Sequence, residues 1–286
     1  MQEMRVTMNI LFCGDSHAQD GVLITTLSLL KNTDAELHLY ILTMYTHSEK
    51  KNYHPFSKHA ADFIRSLLVK KNPKNTLELI DCSTLFIKEP PTANMNSRFT
   101  PYAMLRLFAD EIPQIPDRIL YLDDDIIVRQ NIDDFYNQDI SGVEFVGVLD
   151  YWGRFFYHHL KFRKVFDYVN SGMLLLNMRE IRKTGLFAKV RHMIQVKKML
   201  LPDQAALNKL ATSKRIAPRI YNEQYKLQPD TRIQHFTTSF RFKPFPFIHT
   251  LTVKPWDVER VHSVLNLHEY DKLLNEYLAL RDNLNK

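Results

Sequence analysis

Between residues 8 and 122 the chain alternates short, continuously apolar runs with longer amphipathic ones, and this restricts the fold more than any other feature. The run at 8–13 (Met-Asn-Ile-Leu-Phe-Cys) reads as a buried strand, followed by the polar turn Gly14-Asp15-Ser16-His17 and a helical stretch at 21–30. A second strand is expected at 37–42, a helix around 51–70, a strand at 77–80, a helix near 103–111 and a fourth strand at 118–122. A β-α-β-α-β order of this kind builds a parallel sheet with helices on both faces. Ligands of such open sheets bind beyond the carboxyl ends of the strands. Two acidic places fall there: Asp15 after the first strand, and Asp123-Asp124-Asp125 after the fourth.

The second half is less regular. Strands are expected at 172–177 and 233–236, and Tyr270, Leu273, Leu274, Tyr277 and Leu284 recur at helical spacing. No linker-like stretch divides the chain. The expected architecture is therefore one Rossmann-like α/β domain with a mostly parallel central sheet, residues 1–260, and a C-terminal docking helix in 261–286.

Composition narrows the chemistry. With 286 residues, 45% of them hydrophobic, the chain can bury a full-sized core. The first residues carry charge before any long apolar run, unlike a signal peptide. No stretch approaches the roughly 18 uninterrupted apolar residues of a membrane span. Two cysteines, Cys13 and Cys82, are too few for a disulfide framework, so a soluble cytoplasmic protein is expected. Glycine is scarce, at 7 residues, when an average chain of this length holds about three times as many. No Gly-x-Gly occurs, and neither Gly142 nor Gly147 is followed by Lys-Ser or Lys-Thr, so the dinucleotide fingerprint and the P-loop are both missing. Phosphates, if bound, must be held by a metal ion and side-chain cations.

Alternate residues along an extended backbone point the same way, so Asp123 and Asp125 can converge while Asp124 points aside. Two converging carboxylates are mutually repulsive without a cation and form a hard-oxygen site for Mn²⁺ or Mg²⁺, ions that bridge substrate phosphates. The competing interpretation is a solvated turn in which Asp124 or Asp125 caps a short helix.

The segment Ile119-Leu-Tyr-Leu-Asp-Asp-Asp-Ile-Ile-Val128 resembles the Asp-x-Asp segment of glycosyltransferase family 8, which includes glycogenin and bacterial lipopolysaccharide galactosyl- and glucosyltransferases. Other signatures follow in the family's order. Tyr102-Ala-Met-Leu-Arg-Leu107 resembles its Tyr-x-Arg-Leu helix, with a longer spacing, and Asn170-Ser-Gly-Met-Leu-Leu-Leu-Asn177 its Asn-x-Gly-x-Leu-Leu-x-Asn strand. Leu201-Pro-Asp-Gln-Ala-Ala-Leu-Asn208 resembles its Asp-Gln motif and Lys254-Pro-Trp256 its closing Lys-Pro-Trp.

The resemblance implies a GT-A-type fold and retaining transfer of glucose or galactose from a UDP-sugar to a glycan, glycolipid or glycoprotein acceptor, as in cell-surface polysaccharide or lipopolysaccharide-type biosynthesis. It implies a metal, Mn²⁺ or Mg²⁺, on Asp123, Asp125 and a histidine. His235 and His249 both fit the motif's surroundings, and His235 is preferred for the aromatic that follows it. The donor-binding set is Asp15, Arg106, Asp123, Asp124 and Lys254, with Asp15 at the position that reads the nucleobase. Asn170, Asp203 and Gln204 are the implied catalytic set around the donor sugar. His17 and Ala18 stand where the family usually has Asn-Tyr. A metal-dependent nucleotidyltransferase or phosphatase, and a non-catalytic nucleotide-sugar-binding protein, are the alternatives. The first would need further carboxylates beside Asp123 and Asp125.

The net charge of +6 is carried by one segment. Between Lys214 and Lys254 lie eight basic and two acidic residues, which leaves the rest formally neutral. A localised excess fits one anionic site or surface and does not call for nucleic acid. Phe236, Phe240, Phe242, Phe245 and Phe247 interleave with Arg241 and Lys243, a mixture that suits peripheral contact with an anionic membrane and equally suits the packed side of a hairpin.

Overall fold

The computed structural model describes residues 7–48, 51–95, 101–153, 167–241 and 249–284. Its strands are β1 (Thr7–Cys13), β2 (Glu36–Thr43), β3 (Thr46–Ser48), β4 (Lys51–Tyr53), β5 (Thr76–Asp81), β6 (Arg118–Leu122) and β7 (Ile126–Val128). They continue with β8 (Phe145–Leu149), β9 (Val169–Asn177), β10 (Lys214–Ala217), β11 (Ile233–His235), β12 (Ser239–Arg241) and β13 (His249–Leu251). Seven of them form one sheet in the order β10-β8-β9-β6-β1-β2-β5. The pairs β1/β2, β1/β6, β2/β5 and β8/β10 are parallel, so the sheet is mostly parallel, as expected. β9 runs antiparallel to both β6 and β8. All nine of its residues are buried, which is why 172–177 reads as a central strand.

The helices are α1 (Gln19–Asn32), α2 (Lys58–Lys71), α3 (Ser83–Lys88), α4 (Asp133–Asn137), α5 (Met178–Thr184), α6 (Leu186–Val196), α7 (Pro202–Leu210), α8 (Val258–Ser263) and α9 (Asp271–Leu280). They cover the two faces of the sheet because side chains alternate across each strand. In β1, Met8, Ile10 and Phe12 enter the core shared with α1, α2 and α9, whereas Leu11 enters the core beneath the 3₁₀ segment Pro101–Glu111, α6 and α7. The helix expected around 51–70 starts later. Residues Lys51–Tyr53 pair as β4 with β3, and the helix opens after Ser57, whose hydroxyl accepts the Ala60 N–H at 3.0 Å. Its buried residues, Ala60, Ile64 and Leu68, follow the four-residue spacing of one helix face.

At the C-terminal end, α9 buries Leu273, Leu274 and Tyr277, and the Tyr277 hydroxyl donates to Asp20 Oδ1 of α1 at 2.6 Å. No helix among the described residues is long and apolar enough to cross a membrane. The basic aromatic stretch is described only in part. β12 and β13 form an antiparallel hairpin and the Phe240 ring meets Trp152 with centroids 5.4 Å apart, while Phe242, Lys243, Phe245 and Phe247 lie outside the described residues.

Two backbone pairings build the loop after β6. The Asp123 N–H donates to Gly172 O at 2.8 Å, and the Phe236 N–H donates to Asp125 O at 2.9 Å. β7 then pairs antiparallel with β11, with Ile126 opposite His235. A short acidic loop is thereby clamped between β9 and β11. Gly21 of α1 lies against the same loop: a Cβ there would stand 2.2 Å from Asp124 O, so only glycine lets the helix approach so closely.

Candidate functional site

Asp123, Asp125 and His235 each place one ligand atom within 4.8 Å of the other two. His235 Nε2 lies 3.0 Å from Asp125 Oδ1 and 3.8 Å from Asp123 Oδ2. His249, the other candidate, is exposed on β13 and is not one of the grouped residues. The orientation of His235 is set from behind. Its Nδ1 is 3.1 Å from Asn222 Oδ1, and Asn222 Nδ2 donates to Asn170 Oδ1 at 3.1 Å. With the Asn222 oxygen turned toward the ring, Nδ1 carries a proton, and Nε2, turned to the two carboxylates, holds a second proton that a bound ion would displace. An imidazole nitrogen aimed at two carboxylates is a metal-ligand arrangement, with Asn222 as the outer partner that fixes the ring's orientation.

Two further observations test whether the residues fit an ion. Asp125 Oδ1 is buried without an aligned hydrogen-bond donor, although His235 is close. Beside it, a Cβ placed on Gly172 would meet His235 Cε1 at 2.3 Å, Asp123 Oδ2 at 2.5 Å and His235 Nε2 at 3.0 Å. The glycine thus opens a notch lined by two carboxylates and one imidazole, a set suited to Mn²⁺. Among the described residues no third carboxylate belongs to this group, unlike the two-metal centre that a nucleotidyltransferase would use.

The aspartates are not left repelling each other. Lys254 Nζ forms a close ion pair with Asp125 Oδ2 and donates to Phe236 O at 3.4 Å. Burial opposes ionisation of Asp125, yet Lys254 and His235 hold its carboxyl well below the usual range. Burial also works against charge on His235 and Lys254, and Asp125 nonetheless raises both. Asp124 stands outside the cluster. Burial first, and then the neighbouring Asp125, push its carboxyl up to about 8, with Lys254 opposing. The expectation of a bare repulsive pair is corrected: two cations already balance it.

A second set of side chains lies along the start of β9. The buried Arg106 guanidinium donates to Ser171 O at 2.6 Å and Ser171 Oγ at 3.2 Å, pairs closely with Asp203, and sits 3.6 Å from Asp123 Oδ1. Its plane covers the Tyr121 ring at 4.3 Å, and Tyr121 donates to Asp123 Oδ1 at 2.6 Å. Arg106 therefore links the acidic loop to the first turn of α7, where Pro202 sets the helix start and Asp203 and Gln204 are buried. Gln204 Oε1 accepts the Ser171 N–H at 2.9 Å and lies 3.3 Å from Ser171 Oγ, and its Nε2 donates to Asp150 Oδ2 at 3.1 Å. Asn170 Nδ2 donates to the same Asp150 oxygen at 3.0 Å. Arg106, Asn170, Asp203 and Gln204 are thus neighbours, separated from the Asp123 group by a single strand end.

Asp15 stands apart. Its Oδ1 accepts the His17 N–H at 2.9 Å, its Oδ2 is 3.3 Å from His17 Nδ1, and it bridges to Pro55; among the described residues it makes no bond to the Asp123 group.

Asp150, Asn222 and Tyr121 were absent from the sequence-derived set. Asp150 follows directly on β8, as Asp123 follows β6, so the strand-end rule reaches it once 145–149 is recognised as a strand. Asn222 carries no local signal. It arrives through the bonds Glu223 N–H to Ile233 O and His235 N–H to Glu223 O, both 2.9 Å.

A parallel-rich sheet with one antiparallel strand and an acidic loop clamped at its carboxyl edge is a GT-A-type α/β fold. Residues 9–259 match glycosyl transferase family 8, and the chain belongs to that family. A putative glycosyltransferase of Haemophilus influenzae is 24% identical over 233 residues, 79% of this chain and 65% of that relative's length, so the match spans under two thirds of it. The fold is similar to that of an active-site mutant of LgtC, with a TM-score of 0.65, 17% identity and 95% of each chain covered. It is also similar to the galactosyltransferase LgtC in complex with donor and acceptor sugar analogues, with a TM-score of 0.61, 16% identity, 96% of this chain and 100% of that one.

Proposed function

We propose that this family 8 glycosyltransferase moves glucose or galactose from a UDP-sugar to a glycan, glycolipid or glycoprotein acceptor, with retention of anomeric configuration and dependence on Mn²⁺ or Mg²⁺. Biosynthesis of a cell-surface polysaccharide or lipopolysaccharide-type glycan is the setting we propose. The observation that carries it is the notch at Gly172, where Asp123, Asp125 and His235 meet within two residues of Asn170 and Ser171 and beside the polar cluster of Arg106, Asp203 and Gln204.

Asp123, Asp125 and His235 would hold the ion, which supplies positive charge to the leaving diphosphate. Lys254 adds a side-chain cation on the same side. Asp15, on its turn after β1, would read the uracil. Asp203 would anchor sugar hydroxyls, with Arg106 fixing its carboxylate. Gln204 is held at both ends of its amide, so its role is positioning: both lone pairs of Oε1 are taken by the Ser171 N–H and hydroxyl. Asp150 orients the amides of Asn170 and Gln204 toward the sugar. No side chain is required as a nucleophile if the leaving phosphate takes the acceptor's proton on the same face. Contact of Arg241 and Lys243 with an anionic membrane belongs to the same proposal.

The test is release of UDP from UDP-glucose and UDP-galactose by the purified protein with Mn²⁺, first into water and then with acceptors. Slow metal-dependent release from one donor supports the reading. Absence of both UDP binding and release across UDP-sugars with either metal removes it.

A further inference from the structure

A second group of side chains of metal-ligating types, sharing no residue with the acidic loop, lies on α8, α9 and their connection. His262 sits in the last turn of α8, His268 in the connection 264–270, and Asp271 is the first residue of α9. His262 Nε2 lies 2.8 Å from Asp271 Oδ1, and His268 Nδ1 lies 3.4 Å from Asp271 Oδ2. The two imidazoles are stacked, with centroids 4.7 Å apart and planes 18° apart. One ligand atom from each of the three residues falls within 4.8 Å of the others.

The connection holds this geometry through its backbone. The Val264 N–H donates to Arg260 O at 3.0 Å, Asn266 N–H to His262 O at 3.0 Å and Leu267 N–H to Val261 O at 3.2 Å, while Asn266 adopts a left-handed φ of 49°. The three side chains are 34%, 60% and 42% exposed, for His262, His268 and Asp271, so solvent reaches them. Two imidazoliums stacked face to face would repel each other, which argues against two full ion pairs to one carboxylate. Two neutral imidazoles and a carboxylate form an N,N,O set, which suits Zn²⁺ better than the oxygen-preferring Mg²⁺ or Ca²⁺.

We propose that His262, His268 and Asp271 form a second metal site for Zn²⁺ or a similar late transition ion, independent of Asp123, Asp125 and His235. Its place in the fold indicates what it does. α9 is anchored on α1, and α8 begins four residues after Lys254. The ion would clip α8 to α9 and so steady the segment that brings Lys254 to Asp125.

The experiment is titration of the metal-free protein with Co²⁺, read by visible absorption, in wild type, the double variant His262→Ala/His268→Ala, and Asp271→Asn. The difference between wild type and each variant reports this site alone, whatever binds at the acidic loop. The expected result is one Co²⁺ equivalent lost in the double variant and weakened at least about tenfold in Asp271→Asn. Zn²⁺ at a hundred times its wild-type Kd should raise the Tm of wild type by about 5 °C more than that of the double variant and about 2 °C more than that of Asp271→Asn. Superimposable titrations and equal Tm shifts in all three proteins would overturn the proposal. If the double variant fails to fold, Asp271→Asn, which keeps the size of the side chain, decides alone.

Discussion

The Cα of Gly172 faces the imidazole of His235 so closely that a methyl group there would lie 2.3 Å from Cε1. The ring cannot retreat freely, since Asn222 holds its far nitrogen and Asp125 lies against the near one. Asp123, 2.5 Å from the same methyl position, is tethered by Tyr121.

Gly172→Ala should therefore fill the notch and push His235 and Asp123 off their common centre. We expect Mn²⁺ affinity, measured by calorimetry, to fall about 10–100-fold, the scale on which misplaced outer-sphere support weakens metal sites. The fold should survive with a loss of about 1–3 kcal/mol from overpacking. Unchanged Mn²⁺ affinity in a folded variant would remove Gly172 from the site.

Asp125→Asn should abolish metal-dependent UDP binding and also destabilise the protein without metal. On sequence alone, removing one of two repelling carboxylates looks harmless. In the structure Asp125 is the counter-ion of Lys254 and His235, so its loss strands buried positive charge. The cost is about 1–3 kcal/mol, below that of a fully enclosed pair because Lys254 keeps some solvent. Urea unfolding in chelator decides it, and equal stability of variant and wild type would contradict the pairing.

Arg106→Lys is not a conservative change here. One guanidinium serves Ser171 O, Ser171 Oγ and Asp203 while lying over Tyr121, and an ammonium cannot reach all of them from one point. Stability should fall by about 2–4 kcal/mol, and UDP release should be lost even at temperatures where the variant remains folded. Retention of wild-type activity would show that the link between Asp203 and Asp123 is dispensable.

Alkaline pH should expose the burial of Cys82. Burial, with a smaller contribution from Asp81, pushes its thiol from 9.0 up to about 12. The unfolded chain releases this proton first, so the contribution is complete below about pH 9 and is lost as pH rises toward about 12, at up to about 1.4 kcal/mol per pH unit. Cys82→Ala should show a shallower decline than wild type across that window in urea unfolding. Parallel declines would show that the thiolate forms as easily in the folded chain.

The strands at 8–13, 37–42, 77–80 and 118–122 and their parallel order were legible in the sequence, because side-chain alternation and buried runs are set locally by backbone geometry. The same periodicity made 51–53 look helical, since it cannot see the short pairing of β3 with β4 or the cap at Ser57. The acidic loop was legible for a similar reason: a charged turn ending a buried strand marks the carboxyl edge of the sheet.

What tertiary structure alone decided is which distant residues share that edge. The sequence favours His235 over His249 only through the aromatic that follows it, and the antiparallel register of β7 with β11 decides the choice by setting Ile126 opposite His235 and so putting that imidazole beside Asp125. Asp150 and Asn222 enter the site because β9 inserts between β6 and β8, bringing Asn170 to both of them. The charge state was likewise undetermined by the sequence. Three adjacent aspartates imply repulsion when read along the chain, whereas Lys254, 129 residues from Asp125, holds that carboxylate ionised. Electrostatic energy follows separation in space, and sequence neighbours are only a small part of what a buried carboxylate meets.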